Sequence, residues 1–178
     1  ENYEFKDESI KNVDFANKRI ILVTAHRREN LGEPLENICR ALKRIVTEFK
    51  DVELVYPVHL NPAVRETVNK YLADMDRVHL IDPIDVRDMH NAMDRSFMIM
   101  TDSGGLQEEA PSLGKPVLVM RRETERPEAV AAGTVKLAGV VQDDIVKKPY
   151  SLVCDFSRMS EALAAARAGV QLRPFFVT

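Results

Sequence analysis

The chain has 178 residues, enough for one well-buried domain and too few for two ordinary ones. Its 25 basic and 28 acidic residues leave a formal net charge of −3 with no Lys/Arg-rich run to neutralise successive phosphates, which argues against a nucleic-acid partner. Apolar stretches such as 20–23 and 97–100 fall far short of the roughly 20 residues of a membrane span, no signal-like segment opens the chain, and Cys39 and Cys154 are too few for a disulfide framework, so a soluble, cytoplasmic protein is expected.

After a polar start, residues 19–25 (RIILVTA) form a continuous β-branched apolar run, the pattern of a strand buried on both faces of a parallel sheet. Residues 34–50 follow with Leu35, Ile38, Leu42, Ile45 and Phe49 spaced by threes and fours, lining one face of a helix that begins with a proline. The unit repeats as strand 52–58, helix 61–73, strand 78–81, helix 85–95, strand 97–101, helix 106–113 stopped by Gly114, and strand 117–120. A last strand at 134–138 and a helix at 157–168, ending before Gly169, complete the expected elements. Strict alternation of this kind predicts an α/β fold with a doubly wound parallel sheet.

In such sheets ligands occupy the crevice beyond the carboxyl ends of the strands. The loops there are polar: 26–33 (HRRENLGE), 59–62 (HLNP), 82–85 (DPID), 102–105 (DSGG) and 121–128 (RRETERPE). One polar loop would be an ordinary solvated rim, whereas several on one edge favour a binding site.

Ser103, Gly104 and Gly105 lie between a buried strand and a helix, where small residues admit a ligand to backbone N–H groups and the helix N-terminus favours an anion such as a diphosphate. The alternative is that Ser103 merely caps that helix and the glycines relieve crowding. Glu108 and Glu109, one turn on, suit hydrogen bonds to vicinal ribose hydroxyls, although first-turn carboxylates also stabilise any helix. His26 stands beside Arg27 and Arg28, a titratable group next to two permanent cations, suited to a phosphate or an anionic leaving group; a capping or core histidine is the plainer reading. Of the second basic loop, Arg126, held between Glu125 and Pro127, is the most constrained candidate, with Arg121 and Arg122 left to solvent. His59 shares the same sheet edge, while His79 and His90 read as structural. Fragments TAH (24–26) and DSGG (102–105) match pieces of trypsin-like proteases, but those enzymes are β-barrels and a triad is defined by geometry. No pair of histidines or cysteines has metal-ligand spacing, so no metal is expected.

Taken in order, TAHRREN (24–30), VHLNP (58–62), DSGGLQEEAPSLGKPVLVMR (102–121), TERPEAV (124–130) and AGTVKL (132–137) closely resemble the non-hydrolysing UDP-N-acetylglucosamine 2-epimerases. The resemblance implies a GT-B architecture of two Rossmann-like domains, of which residues 1–178 look like the carboxyl-terminal, UDP-binding one. By that likeness Ser103, Gly104 and Gly105 would hold the diphosphate and Glu109 the ribose. His26, placed as the catalytic residue, and Arg126 would lie near the phosphates and sugar, and Met89 would stand where the family commonly has an aromatic wall for uracil. Arg27, Glu29 and His59 match positions implied in binding a second UDP-N-acetylglucosamine as activator. The reaction implied is removal of the sugar C2 proton with expulsion of UDP, then return of UDP with the proton on the other face to give UDP-N-acetylmannosamine for surface polysaccharide. It needs no redox cofactor. The carboxylates near C2 would come from the amino-terminal domain, so the chain by itself is expected to be inactive, and the full-length enzyme is expected to be a homodimer. The tail departs from the family: VVQDDIVKKPYSLVCDF (140–156) replaces an NPYGDG-like segment. Two other classes remain open from the sequence, the donor-binding domain of a GT-B glycosyltransferase and a non-catalytic UDP-sugar-binding module.

Overall fold

Six parallel strands lie in the order β3-β2-β1-β4-β5-β6, in a computed structural model that describes residues 3–125, 127–131, 133 and 135–149. They are β1 (Arg19–Thr24), β2 (Val52–Pro57), β3 (Val78–Ile81), β4 (Met98–Thr101), β5 (Val117–Val119) and β6 (Val135–Leu137). The helices are α1 (Glu8–Lys11), α2 (Glu33–Glu48), α3 (Pro62–Leu72), α4 (Val86–Arg95), α5 (Leu106–Ser112), α6 (Pro127–Ala131) and α7 (142–149), with a 3-10 turn at Arg28–Asn30. The order is that of a Rossmann-like doubly wound sheet, as the alternation of elements predicts. Expected and observed ends agree within two residues at each of these strands and at α2 to α5. The helix expected at 157–168, Cys154 and Arg126 lie outside the described residues.

The central strand shows why the sheet takes this form. Leu22 of β1 is in register with Val55 of β2 on one side and Ile99 of β4 on the other. Successive side chains then point to opposite faces. Ile21, Val23 and Ala25 join a core with Leu35, Ile38 and Leu42 of α2, Val64 and Val68 of α3, and Ile145 and Val146 of α7. Ile20 and Leu22 join a second core with Ala92 and Met93 of α4 and Leu106 and Ala110 of α5. A strand that must satisfy two cores has no place for a polar face, and hence reads as an uninterrupted apolar run.

Local signals set the helix starts. Gly32 precedes α2 at φ 81°, ψ −135°, a conformation that only glycine adopts without strain. Asn61 caps α3 by accepting from Ala63 N, and Asp85 caps α4 by accepting from Asp88 N.

The polar start proves structural. Phe5, Ile10 and Val13 are buried in the second core, and Asp88 of α4 holds the segment down. Its carboxylate accepts from the Lys6 and Asp7 backbone N–H groups and from the Tyr3 hydroxyl, at 2.8–3.2 Å. The charged residues between these apolar positions hide the pattern in the linear sequence.

Candidate functional site

β1 and β4 are neighbours whose following helices, α2 and α5, pack on opposite faces, so a crevice opens beyond their carboxyl ends. The two strand ends are cross-braced. Thr24 and Thr101 share a hydrogen bond between hydroxyls at 2.6 Å, and Asp102 N donates to Thr24 O at 3.0 Å. The Asp102 side chain is fully buried, and its Oδ2 accepts from His26 N (2.9 Å), Arg27 N (2.8 Å) and Asn30 Nδ2 (3.0 Å). Asn30, itself buried in the 3-10 turn, also donates to Met120 O at 3.0 Å. A single carboxylate and a single amide thereby join the loops after β1, β4 and β5. Tyr56 adds a strut from β2, its buried hydroxyl donating to Ala25 O at 2.7 Å. Burial pushes the Tyr56 phenol well above its ordinary value, which keeps it a neutral donor.

Above this frame sits a cleft of about 340 Å³. His26 and His59 form one wall, with their rings stacked at a centroid separation of 5.1 Å and an interplanar angle of 7°. Pro83, Ile84, Val86 and Met89 line the α4 side, while Ser103, Leu106 and Glu109 line the α5 side. The floor includes Thr24 and Pro57. A Cβ added to Gly105 would lie 3.7 Å from Glu109 Oε1, so the Glu109 carboxylate folds back over the turn. Asn61 N donates to His59 Nδ1 at 3.1 Å, which makes Nδ1 the acceptor nitrogen of that ring. The cleft pairs an apolar wall and floor with a small set of convergent polar groups, the usual make-up of a small-molecule site.

Five of the residues singled out from the sequence meet here: His26, His59, Ser103, Glu109 and Met89. Glu29 does not. It lines a separate depression of about 290 Å³ with Asn30, Arg121, Arg122 and Glu123, so His59 and Glu29 border different cavities. Arg27 lines neither cavity and pairs with Glu125, its Nη2 at 3.4 Å from Glu125 Oε1.

Two local readings change. Ser103 is not a helix cap: Gly105 occupies that position and no side chain caps α5, while the Ser103 N–H donates to Thr101 Oγ1 at 2.9 Å. A Cβ at Gly104 would come within 2.7 Å of Glu125 Oε1 and 3.2 Å of Arg27 Nη2, the ends of a half-exposed ion pair, which accords with the glycine relieving crowding at this turn. Arg121 does not face solvent. Its side chain is 11% exposed and donates from Nε to Glu29 Oε1 at 2.6 Å and from Nη1 to Glu125. Glu125 is held below the usual carboxylate range by its own backbone N–H and then by Arg121, which keeps this ladder of charges ionised.

Sequence reasoning left Asp102, Asn30 and the Gln107–Thr124 hydrogen bond (2.6 Å) without roles. The available signal was an Asp directly after a fully buried strand: a carboxylate there must find donors, and loops adjacent in space but distant in sequence supply them.

A family model described as UDP-N-acetylglucosamine 2-epimerase matches residues 1–169. The chain belongs to that family. The Bacillus subtilis UDP-N-acetylglucosamine 2-epimerase is 59% identical over 147 residues, which are 81% of this chain and 39% of that protein. A Staphylococcus aureus MnaA–UDP co-structure shares 49% identity at a TM-score of 0.78 and covers 86% of this chain and 40% of its own. The Neisseria meningitidis UDP-GlcNAc 2-epimerase bound to UDP-GlcNAc shares 39% identity at a TM-score of 0.75, over 88% of this chain and 48% of its own. The chain spans about two-fifths of the length of the curated family members it matches. Among the described residues, no helix is long and apolar enough to cross a membrane.

Proposed function

We propose that this chain is the UDP-holding, carboxyl-terminal half of a UDP-N-acetylglucosamine 2-epimerase. The observation that carries the reading is the convergence of His26, Ser103 and Glu109 on one cleft at the point where the strand order reverses. Relatives of the same family crystallised with UDP and with UDP-GlcNAc support it.

In this assignment Glu109 accepts hydrogen bonds from the ribose hydroxyls, and Ser103 with the following backbone N–H groups receives the diphosphate. Uracil lies against the apolar α4 wall at Met89 and Pro83. The α5 helix has only seven residues, so its dipole adds little, and the anion depends on nearby donors. Arg126 would supply a further cation. During turnover a base takes the C2 proton, its C–H electron pair forms the C1–C2 double bond, and the C1–O bond breaks with its pair leaving on UDP. His26 stabilises that departing charge and the reverse step re-adds UDP after reprotonation on the other face, which gives UDP-N-acetylmannosamine for polysaccharide synthesis. The carboxylates that move the proton lie outside this chain, in an amino-terminal domain, within a homodimeric cytoplasmic enzyme. A second UDP-N-acetylglucosamine would act as activator through Arg27, Glu29 and His59, spanning from the depression at Glu29 to the cleft wall at His59.

Calorimetry of the chain with UDP and with UDP-N-acetylglucosamine tests the binding half of this reading. UDP is expected to carry most of the affinity, and Glu109→Ala to weaken UDP at least about tenfold through two lost charge-assisted hydrogen bonds. Equal binding by the variant would refute the ribose assignment. Mixing the chain with a separately expressed amino-terminal domain should restore epimerisation, and a folded complex without turnover would refute the catalytic half.

A further inference from the structure

Asp102 Oδ1 is buried and, among the described residues, has no hydrogen-bond partner, although the other oxygen of the same carboxylate accepts three. A carboxylate oxygen left without a donor at zero exposure is costly, so its surroundings bear on its use. The group facing it is His26 Nδ1 at 3.8 Å, about 1 Å beyond hydrogen-bond length. The His26 ring is 39% exposed and lies on the cleft wall, whereas the carboxylate is locked from behind. A small rotation of the imidazole therefore closes the gap, and the carboxylate itself need not move.

We propose that Asp102 is a positioning residue for His26: Oδ1 accepts the Nδ1–H of the ring, fixes that tautomer, and leaves Nε2 directed into the cleft. A histidine whose Nδ1–H is held by a carboxylate presents its second nitrogen in a fixed direction, and its cationic form is stabilised where it faces an anion. The stacked His59 ring, with Nδ1 committed to Asn61 N–H, offers its own Nε2. The step from this pair to turnover rests on the reading that the cleft holds a diphosphate, but the tautomer does not.

Asp102→Asn sharpens the test, because three N–H donors already converge on Oδ2. The amide oxygen must occupy that site, which places Nδ2 where Oδ1 stands and sets a donor against Nδ1. The ring should then invert. Long-range 15N–1H NMR at mildly alkaline pH reads the tautomer directly, Nδ1–H in the wild-type chain and Nε2–H in the variant; UDP affinity is compared at mildly acidic pH, where the cationic ring donates from both nitrogens and the variant offers Nδ1–H no carboxylate, and should fall at least about tenfold by calorimetry. A wild-type ring in the Nε2–H form overturns the proposal without any variant, even should Asp102→Asn fail to fold. Retention of Nδ1–H in a folded Asp102→Asn chain, or inversion with unchanged UDP affinity, overturns it as well. A wild-type Nδ1–H tautomer without UDP binding would instead remove the diphosphate reading and leave the His26–Asp102 pairing standing.

Discussion

Asn30→Ala is the substitution that most directly tests whether the frame under the cleft is held by a few buried polar groups. The Asn30 side chain is 3% exposed and its Nδ2 makes two hydrogen bonds at 3.0 Å, to Asp102 Oδ2 and Met120 O. A bond to a carboxylate contributes about 1.5–3 kcal/mol net and one to a carbonyl about 0.5–1.5, so their joint loss comes to about 2–4.5 kcal/mol. Both acceptors remain behind in a site that the alanine cannot fill, which pushes the effect toward the upper end. For a domain stable by roughly 5–15 kcal/mol this is a large fraction, and with a urea slope near 2 kcal/mol/M it lowers the midpoint by about 1–2 M. Urea unfolding followed by far-UV circular dichroism measures it. A loss below about 1 kcal/mol would refute the argument, because it would mean that Asp102 and the β5 end are held by other groups.

Two other outcomes follow from buried groups elsewhere. Burial by itself would raise Asp88, but the Asp7 and Lys6 backbone N–H groups and the Tyr3 hydroxyl outweigh it and hold the carboxyl below its ordinary 3.8. A depressed folded value means that the unfolded chain binds more protons, so this contribution is complete above the unfolded value and fades as pH falls through the folded one. Between about pH 5 and 3 the wild type should therefore lose more stability in urea titrations than Asp88→Asn, and parallel losses would refute the clamp. Cys39 is buried on α2, where desolvation, reinforced by the Glu36 carboxylate, pushes its thiol up to about 12. Peptide mapping after treatment with iodoacetamide should find it unmodified until denaturant is added, and rapid labelling of the folded chain would contradict this packing.

Much of the fold was legible in the sequence because burial on both faces leaves a short, unmistakable signal. Residues 19–25 read as a buried parallel strand with no neighbour in view, against an observed 19–24, and the 3–4 spacing of Leu35, Ile38, Leu42 and Ile45 named the face of α2 that meets the sheet. The edge of the sheet that carries the site was legible too, because in this topology every strand's carboxyl end falls on it. The amino-terminal segment was not, since Phe5, Ile10 and Val13 are separated by charged residues and show their common burial only once Asp88 of α4 is in place.

Sequence alone determined the doubly wound order of elements, the residue types at the cleft and the family in which they recur, because periodicity and motif are properties of neighbours along the chain. Only the tertiary structure decided which of those residues share a cavity. It set Glu29 and His59 at different cavities, turned Arg121 inward, brought Glu125 beside Gly104, and placed an Asp102 oxygen with no partner among the described residues behind His26. Those outcomes depend on groups 72–98 positions apart meeting across three strand ends, and the strength of a charge or a hydrogen bond is set by what surrounds it in space.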